Sequence, residues 1–141
     1  MVVLTLTIAA AAFYFYKEYN RKNKDTAGLK PAYTIAASLL IKEFETDEFS
    51  AGKKYSGKII STGGIVKDVI KDDQGFYSVI LGDTSSMSSV RCSLDSTHNN
   101  EAIELQKRVH ATVKGVCAGY TTDELLGSDV ILVRCVIDSN K

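Results

Sequence analysis

The chain has 141 residues, 24% charged and 45% hydrophobic, with 17 basic and 17 acidic side chains and a formal net charge of zero. That length allows one domain plus an appendage, and the balanced charge excludes a global field drawing the protein to nucleic acid or anionic lipid. The cysteines Cys92, Cys117 and Cys135 are widely spaced with no CxxC pair, so they carry no metal or redox signature and read as small buried apolar side chains.

Residues 1–16, MVVLTLTIAAAAFYFY, carry no charge after the amino terminus, and Lys17, Glu18, Arg21, Lys22 and Lys24 come directly after them. The run is slightly shorter than the ~20 residues that span a bilayer. Tyr14, Tyr16 and Tyr19 suit the membrane interface, and Lys17 can snorkel. A cleaved signal peptide competes, but no small-x-small cleavage site follows the run, and no cysteine lies near its end to carry a lipid. A buried core helix is the other alternative. The expectation is a transmembrane anchor or uncleaved signal over residues 1–19, with the membrane as a partner. Taken alone, the basic cluster keeps the downstream domain on the cytoplasmic side. The lysines that usually precede such an anchor are absent, and a trimmed start would remove them. The exported (periplasmic) side is the preferred location and the cytoplasmic side the alternative.

Residues 20–33 are polar, contain the only proline, Pro31, and read as a linker. A domain over residues 34–138 comes next. Thr34 is its candidate helix N-cap, and Ala37, Leu40, Ile41 and Phe44 form one apolar stripe at i, i+3, i+4 and i+7. That amphipathic helix is expected to pack on the domain; a partner-binding helix is the alternative. Glu43, Glu45, Asp47 and Glu48 read as a solvated acidic end.

The stretch 57–73, GKIISTGGIVKDVIKDD, reads as a long first strand. Gly63 and Gly64 let it bend sharply, so it can pair in two places and help close a small barrel. Alternation puts Ile60, Thr62, Gly64 and Val66 on one face. Residues 71–75 have hairpin-turn chemistry. In the second strand, 76–81, Tyr77, Val79 and Leu81 point inward and Phe76, Ser78 and Ile80 outward. A Ser-rich turn precedes the third strand, where Val90, Cys92 and Leu94 alternate with Arg91 and Ser93. Residues 99–107 read as helical. In the fourth strand Val109, Ala111, Val113 and Cys117 face inward. A loop over 119–128 leads to the last strand, 129–137, where Ile131, Val133, Cys135 and Ile137 share the inward face.

Strand, strand, strand, helix, strand, strand is the order of a mainly β, five-stranded OB-fold Greek-key barrel with a helix between strands three and four. A mixed sheet with one helix is the alternative, and it would leave apolar edges exposed. In the barrel the third and fifth strands run parallel and adjacent, so Cys92 and Cys135 are expected to be neighbours. They are the candidate disulfide of an exported domain and thiols in the cytosol.

The chain resembles the tRNA-anti-like OB-fold family, small membrane-anchored or lipoprotein-like proteins common in Bacteroidetes. The resemblance covers nearly the whole chain. It rests on the apolar start, LLIKEFETDEFSAGKKYSGKII at 39–60, GIVKDV at 64–69, VILGDTSS at 79–86 with VRCSL at 90–94, VKGVCAGY at 113–120 and DVILVRCVI at 129–137. One departure is Gln106-Lys107-Arg108, where the family usually has a Gly-containing turn. The resemblance implies nucleic-acid binding as one function and carries over no catalytic or binding residue.

The residues themselves give no basis for an enzyme. His98 and His110 have no partner at local spacing. Asp72 with Asp73, and Asp123 with Glu124, are acidic pairs of turns. No phosphate-cradling GxxxxGK[ST] or GxGxxG order occurs, and no metal or cofactor is implied. Three readings remain: a non-enzymatic, membrane-tethered module binding a protein or glycan, a single-stranded nucleic-acid binder, and a structural envelope domain. Balanced charge does not favour the nucleic acid. OB-folds bind ligands across strands two and three, flanked by two loops. Here that face offers Phe76, Ser78, Ile80, Arg91 and Ser93, with Tyr120 from the second loop. Phe76 suits stacking on a base or sugar, and Arg91 a phosphate or carboxylate; cover by the N-terminal helix or linker is the alternative for Phe76 and Ile80.

Overall fold

The computed structural model describes residues 2–19 and 24–138. Met1 and residues 20–23 of the expected linker lie outside them. The elements are α1 (Val2–Tyr19), a 3-10 turn (Thr26–Gly28), β1 (Tyr33–Ala36), α2 (Ala37–Thr46), α3 (Glu48–Tyr55), β2 (Ile59–Lys71), β3 (Tyr77–Leu81), β4 (Ser89–Leu94), a second 3-10 turn (Asn99–Glu104), β5 (His110–Asp123) and β6 (Gly127–Ile137). Helix α1 exposes Ile8, Phe13, Tyr14, Phe15 and Tyr16 and ends near Lys17. Among the described residues, no helix is long and apolar enough to cross a membrane.

The sheet is organised around β2. Its first half pairs with β1 in parallel and with β5 antiparallel, and its second half pairs with β3. The remaining pairs are β3–β4, β4–β6 and β5–β6, so the sequence β2–β3–β4–β6–β5 returns to β2. The changeover on β2 lies next to the paired glycines. A Cβ on Gly64 would come 2.9 Å from the Ala37 Cβ, so the missing side chain lets α2 start directly on the strand.

Among the described residues there are six strands where the sequence leads one to expect five. The additional one is β1, and it also corrects the N-cap. Thr34 lies within the strand, paired with Ser61, and α2 is capped by Ala36 without a side-chain hydrogen bond. The partner edge of β2 is open there because β3 begins pairing only at Val66. Ladder hydrogen bonds to that edge outweigh a local cap. The apolar stripe of α2 is as expected, with Ala37, Leu40, Ile41 and Phe44 buried. Asp47 then ends α2 and caps α3, accepting the Ser50 N–H at 3.0 Å and the Ser50 hydroxyl at 2.6 Å. Tyr55 of α3 is buried with its ring 5.9 Å from Phe44 and 5.0 Å from Tyr33. Its hydroxyl donates to Glu43 at 2.8 Å, and the Lys54 ammonium donates to the same carboxylate at 2.9 Å.

The expected inward residues Ile60, Val66, Val79, Leu81, Val90, Leu94 and Val113 are buried. The last strand is not as expected over its first half. Val130 and Leu132 are buried, whereas Ile131 and Val133 are only half-buried. A bulge explains the reversal. Cys92 is opposite Leu132 but Leu94 is opposite Cys135, so Val133 and Arg134 together face Ser93. Arg134 takes the left-handed conformation, φ 51°. One inserted residue inverts the alternation, so counting back from Cys135 gives the wrong face. Across the bulge, on β5, stands Gly115, where a Cβ would overlap the Cys135 Sγ.

Three further expectations change. Residues 99–104 form a 3-10 turn rather than an α-helix, burying Ala102 and leaving Ile103 exposed. Val109 is exposed because it precedes β5, following Arg108 at φ 69°. The expected loop over 119–128 is mostly a hairpin, since β5 continues to Asp123 and pairs with β6 up to Asp123–Gly127. The Asp123 carboxylate accepts the N–H groups of Leu125 and Leu126 at 2.8 and 2.9 Å and closes that turn.

Candidate ligand-binding face

Register places the outward side chains of β2, β3, β4 and β6 in rows. One row runs Asp68, Ile80, Arg91, Ile131, and the next contains Ile70, Ser78 and Ser93. Sequence alternation brings Ser78, Ile80, Arg91 and Ser93 to one surface, and the structure keeps them there. Their environments differ. The Ser78 and Ser93 hydroxyls lie 3.4 Å apart, and both residues are half-buried. Phe76 lies just before β3 and is 42% exposed. Its backbone is held in the hairpin, since its N–H donates to the Asp72 carboxylate at 2.9 Å and its carbonyl accepts the Asp72 N–H at 2.9 Å. The ring is therefore presented on an ordered turn.

Ile80 is 7% exposed and so is not part of the open surface. It stays outside the main core cluster, between Asp68 and Arg91 in register. Tyr120 leaves the face altogether. It belongs to β5 rather than to a loop, pairs with Val130 on the inward side, and stacks on Phe44 at 5.2 Å. The β5 register shifts between Cys117 and Gly119, and this sets the Tyr120 direction.

Two cations of this surface, Arg91 and Lys107, are engaged. Arg91 donates to Asp129 from Nη2 at 3.2 Å and from Nε at 3.4 Å. Lys107 meets the Asp68 carboxylate at 2.7 Å, and this ammonium holds the carboxyl below its ordinary range. Lys71, in register with Tyr77, lies over that ring at 5.4 Å on the opposite side of the sheet. Asp129 was missed as a site neighbour because it is 38 residues from Arg91; only the parallel β4–β6 pairing brings them together.

The cysteines sit behind this surface. Cys92 and Cys135 are buried free thiols on adjacent strands. Burial, and then a hydrogen bond with Cys92, push the Cys135 thiol well above its usual range. Among the described residues, no group of three or more His, Cys, Asp or Glu is arranged to hold a metal. A concave groove of about 410 Å³ lies elsewhere, between α2 and α3, lined by Leu39, Glu43, Ala51 and Lys54 among others.

The tRNA_anti-like family model matches residues 1–137. The chain belongs to the tRNA_anti-like family. Its fold is accordingly mainly β and OB-like. A putative nucleic acid-binding lipoprotein from Klebsiella pneumoniae is similar in structure to this tRNA_anti-like chain, with a TM-score of 0.56 and 16% identity over 83% of this chain and 98% of that one. The asparaginyl-tRNA synthetase of Entamoeba histolytica is similar with a TM-score of 0.46 and 16% identity, over 77% of this chain and 24% of the synthetase. The asparaginyl-tRNA synthetase of Pyrococcus horikoshii has a TM-score of 0.40 and 14% identity, over 60% and 20%. No curated protein matches the chain.

Proposed function

We propose that this protein is a non-enzymatic, membrane-tethered binding module, built on a five-stranded OB barrel to which β1 is added. Its domain spans residues 34–138, reached through a linker from an N-terminal anchor over residues 1–19. Its ligand is a protein segment or glycan rather than a long polyanion. The observation that carries this reading is the pairing of the surface cations. Arg91 and Lys107 are bonded to Asp129 and Asp68, and the same face carries the paired Ser78 and Ser93 hydroxyls and the exposed Phe76 ring. An aromatic ring with nearby hydroxyls suits stacking on a sugar or an apolar side chain. A phosphate chain would have to break ion pairs to gain its own. The ligand face is therefore Phe76, Ser78, Arg91 and Ser93. Tethering is supported by the exposed aromatic side chains of α1, and the similar Klebsiella protein is named a lipoprotein. The exported side is the location that fits such a tether. There Cys92 and Cys135 are the pair that would bridge, and a count of one free thiol in the denatured protein, against three, would support that.

Single-stranded nucleic-acid binding is the second reading, favoured by the family and by the name of the Klebsiella protein. Titration with labelled oligonucleotides separates the two. The expected result is weak or undetectable binding at physiological salt, lost steeply as salt rises. Submicromolar, salt-resistant binding abolished in Phe76→Ala and Arg91→Ala would overturn the first reading. Fractionation of cells with mass spectrometry of the N-terminus tests the tether; a soluble form beginning after Tyr16 would refute it.

A further inference from the structure

One contact does not belong to the sheet or to the ligand face. His98, at the entry to the second 3-10 turn, has both ring nitrogens on carboxylates. Nδ1 is 2.6 Å from Glu101, and Nε2 is 3.0 Å from both oxygens of Asp25. Asp25 lies 73 residues away, in the segment that joins α1 to the sheet. A neutral imidazole has one N–H and one lone pair, so it can satisfy only one of these carboxylates and would turn a lone pair toward the other. The geometry requires the imidazolium.

Asp25 is also the residue that shapes its segment. Its carboxylate accepts the Ala27 N–H at 2.9 Å and so caps the turn Thr26–Gly28. Thr26 is buried against the domain, and the Lys114 ammonium of β5 donates to the Ala27 carbonyl at 2.8 Å. Glu101 is fixed as well, since its other oxygen accepts the Ile137 N–H at 3.2 Å. His98 thus joins a segment outside the sheet to the end of β6.

We propose that residues 24–28 are docked on the sheet by the protonated His98 and released when that imidazolium loses its proton, a pH-dependent clasp at the base of the domain. The charged groups around His98 come from each neighbouring element. Asp25 comes from the docked segment, Glu101 from its own turn, Asp95 from the end of β4, and Lys114 acts from β5 on Asp25. Three carboxylates against one ammonium favour the imidazolium. The hydrogen bonds to Asp25 and then Glu101 raise His98 above its ordinary 6.5, and burial opposes them. Because the docked form has the higher value, the contribution of His98 to docking is fully present below about 6.5 and is lost as pH rises through the docked value. Asp25 is held below its ordinary 3.8, chiefly by His98, so its own protonation loosens the clasp only in strong acid.

Trypsin reads the clasp on the full-length protein. Lys24 is followed by Asp25, whereas Lys30 is followed by Pro31 and is resistant. Cleavage after Lys24 is compared between wild type and His98→Gln at each pH, which cancels the protease's own pH dependence. The expected result is several-fold faster cleavage of the variant at about pH 6, with the two rates converging by about pH 8.5. A ratio that stays constant with pH, or equal rates at about pH 6, overturns the proposal. The amides of Ala27 and Gly28 give an independent reading by NMR. They should shift with the His98 ring at one midpoint above 6.5, and that midpoint should fall in Asp25→Asn while core amides such as Val113 stay in place. Ala27 and Gly28 amides that ignore the His98 titration also overturn it.

Discussion

The inverted face of β6 can be tested with two neighbouring residues. Leu132 is fully buried, and Val133 is half-buried on the other side of the bulge. A Leu→Ala change in a core costs about 2–5 kcal/mol, more where the site cannot collapse. The surroundings of Leu132 are rigid. Its register partners are Cys92 and Cys117, and its Cβ stands 3.3 Å from the place a Gly115 Cβ would occupy. Leu132→Ala should therefore lie in the upper half of that range, about 3.5–5 kcal/mol. Val133→Ala removes two methyl groups that are already partly in water and should cost about 1 kcal/mol or less. Against a total of about 5–15 kcal/mol for a domain of this kind, the first change is severe and the second mild. Urea denaturation followed by tyrosine fluorescence measures both, since the chain has seven tyrosines and no tryptophan. The charged variants sharpen the contrast, because an unpaired carboxylate is tolerated at a surface and not in a core. Val133→Asp should remain folded and Leu132→Asp should not. Equal costs for the two alanine variants, or an unfolded Val133→Asp beside a folded Leu132→Asp, would refute the inverted face of β6.

Gly115→Ala should destabilise by about 1–3 kcal/mol through overlap with the Cys135 Sγ, and Cys135→Ala should recover most of that loss in a double-mutant cycle by urea denaturation. Thr62→Val should raise stability by about 1 kcal/mol, because the buried Thr62 hydroxyl has no hydrogen-bond partner among the described residues; a shift of the urea midpoint in the other direction would show that it is satisfied. Glu43 is held below its ordinary 4.5 by hydrogen bonds from Lys54 and then Tyr55. Its contribution is present above about 4.5 and lost as pH falls through the folded value, so urea midpoints measured down a pH series should fall less steeply in Glu43→Gln.

Much of the sheet was legible because alternation is a local property. Val79 with Leu81, and Val90 with Cys92, lie on β3 and β4, which pair with each other without a break, and period two reads their buried face correctly. The stripe of α2 was legible for the same reason at period 3.6, since Ala37, Leu40, Ile41 and Phe44 need only a helix to align them. What escaped are features that depend on a partner strand. The β6 bulge exists because Gly115 leaves room for Cys135, and neither residue alone announces it. Arg108 takes a left-handed position in the turn where the family resemblance implies a glycine, and its N–H donates to the Val66 carbonyl at 2.8 Å. β1 forms because β2 presents an open edge, not because its four residues demand a strand. At the candidate face, alternation alone grouped Ser78, Ile80, Arg91 and Ser93. Only the tertiary pairings decided that Asp129 engages Arg91, that Ile80 is shielded and that Tyr120 turns inward onto Phe44. Periodicity is written into neighbouring residues, whereas register, bulges and ion pairs across 38 residues come into being when strands meet.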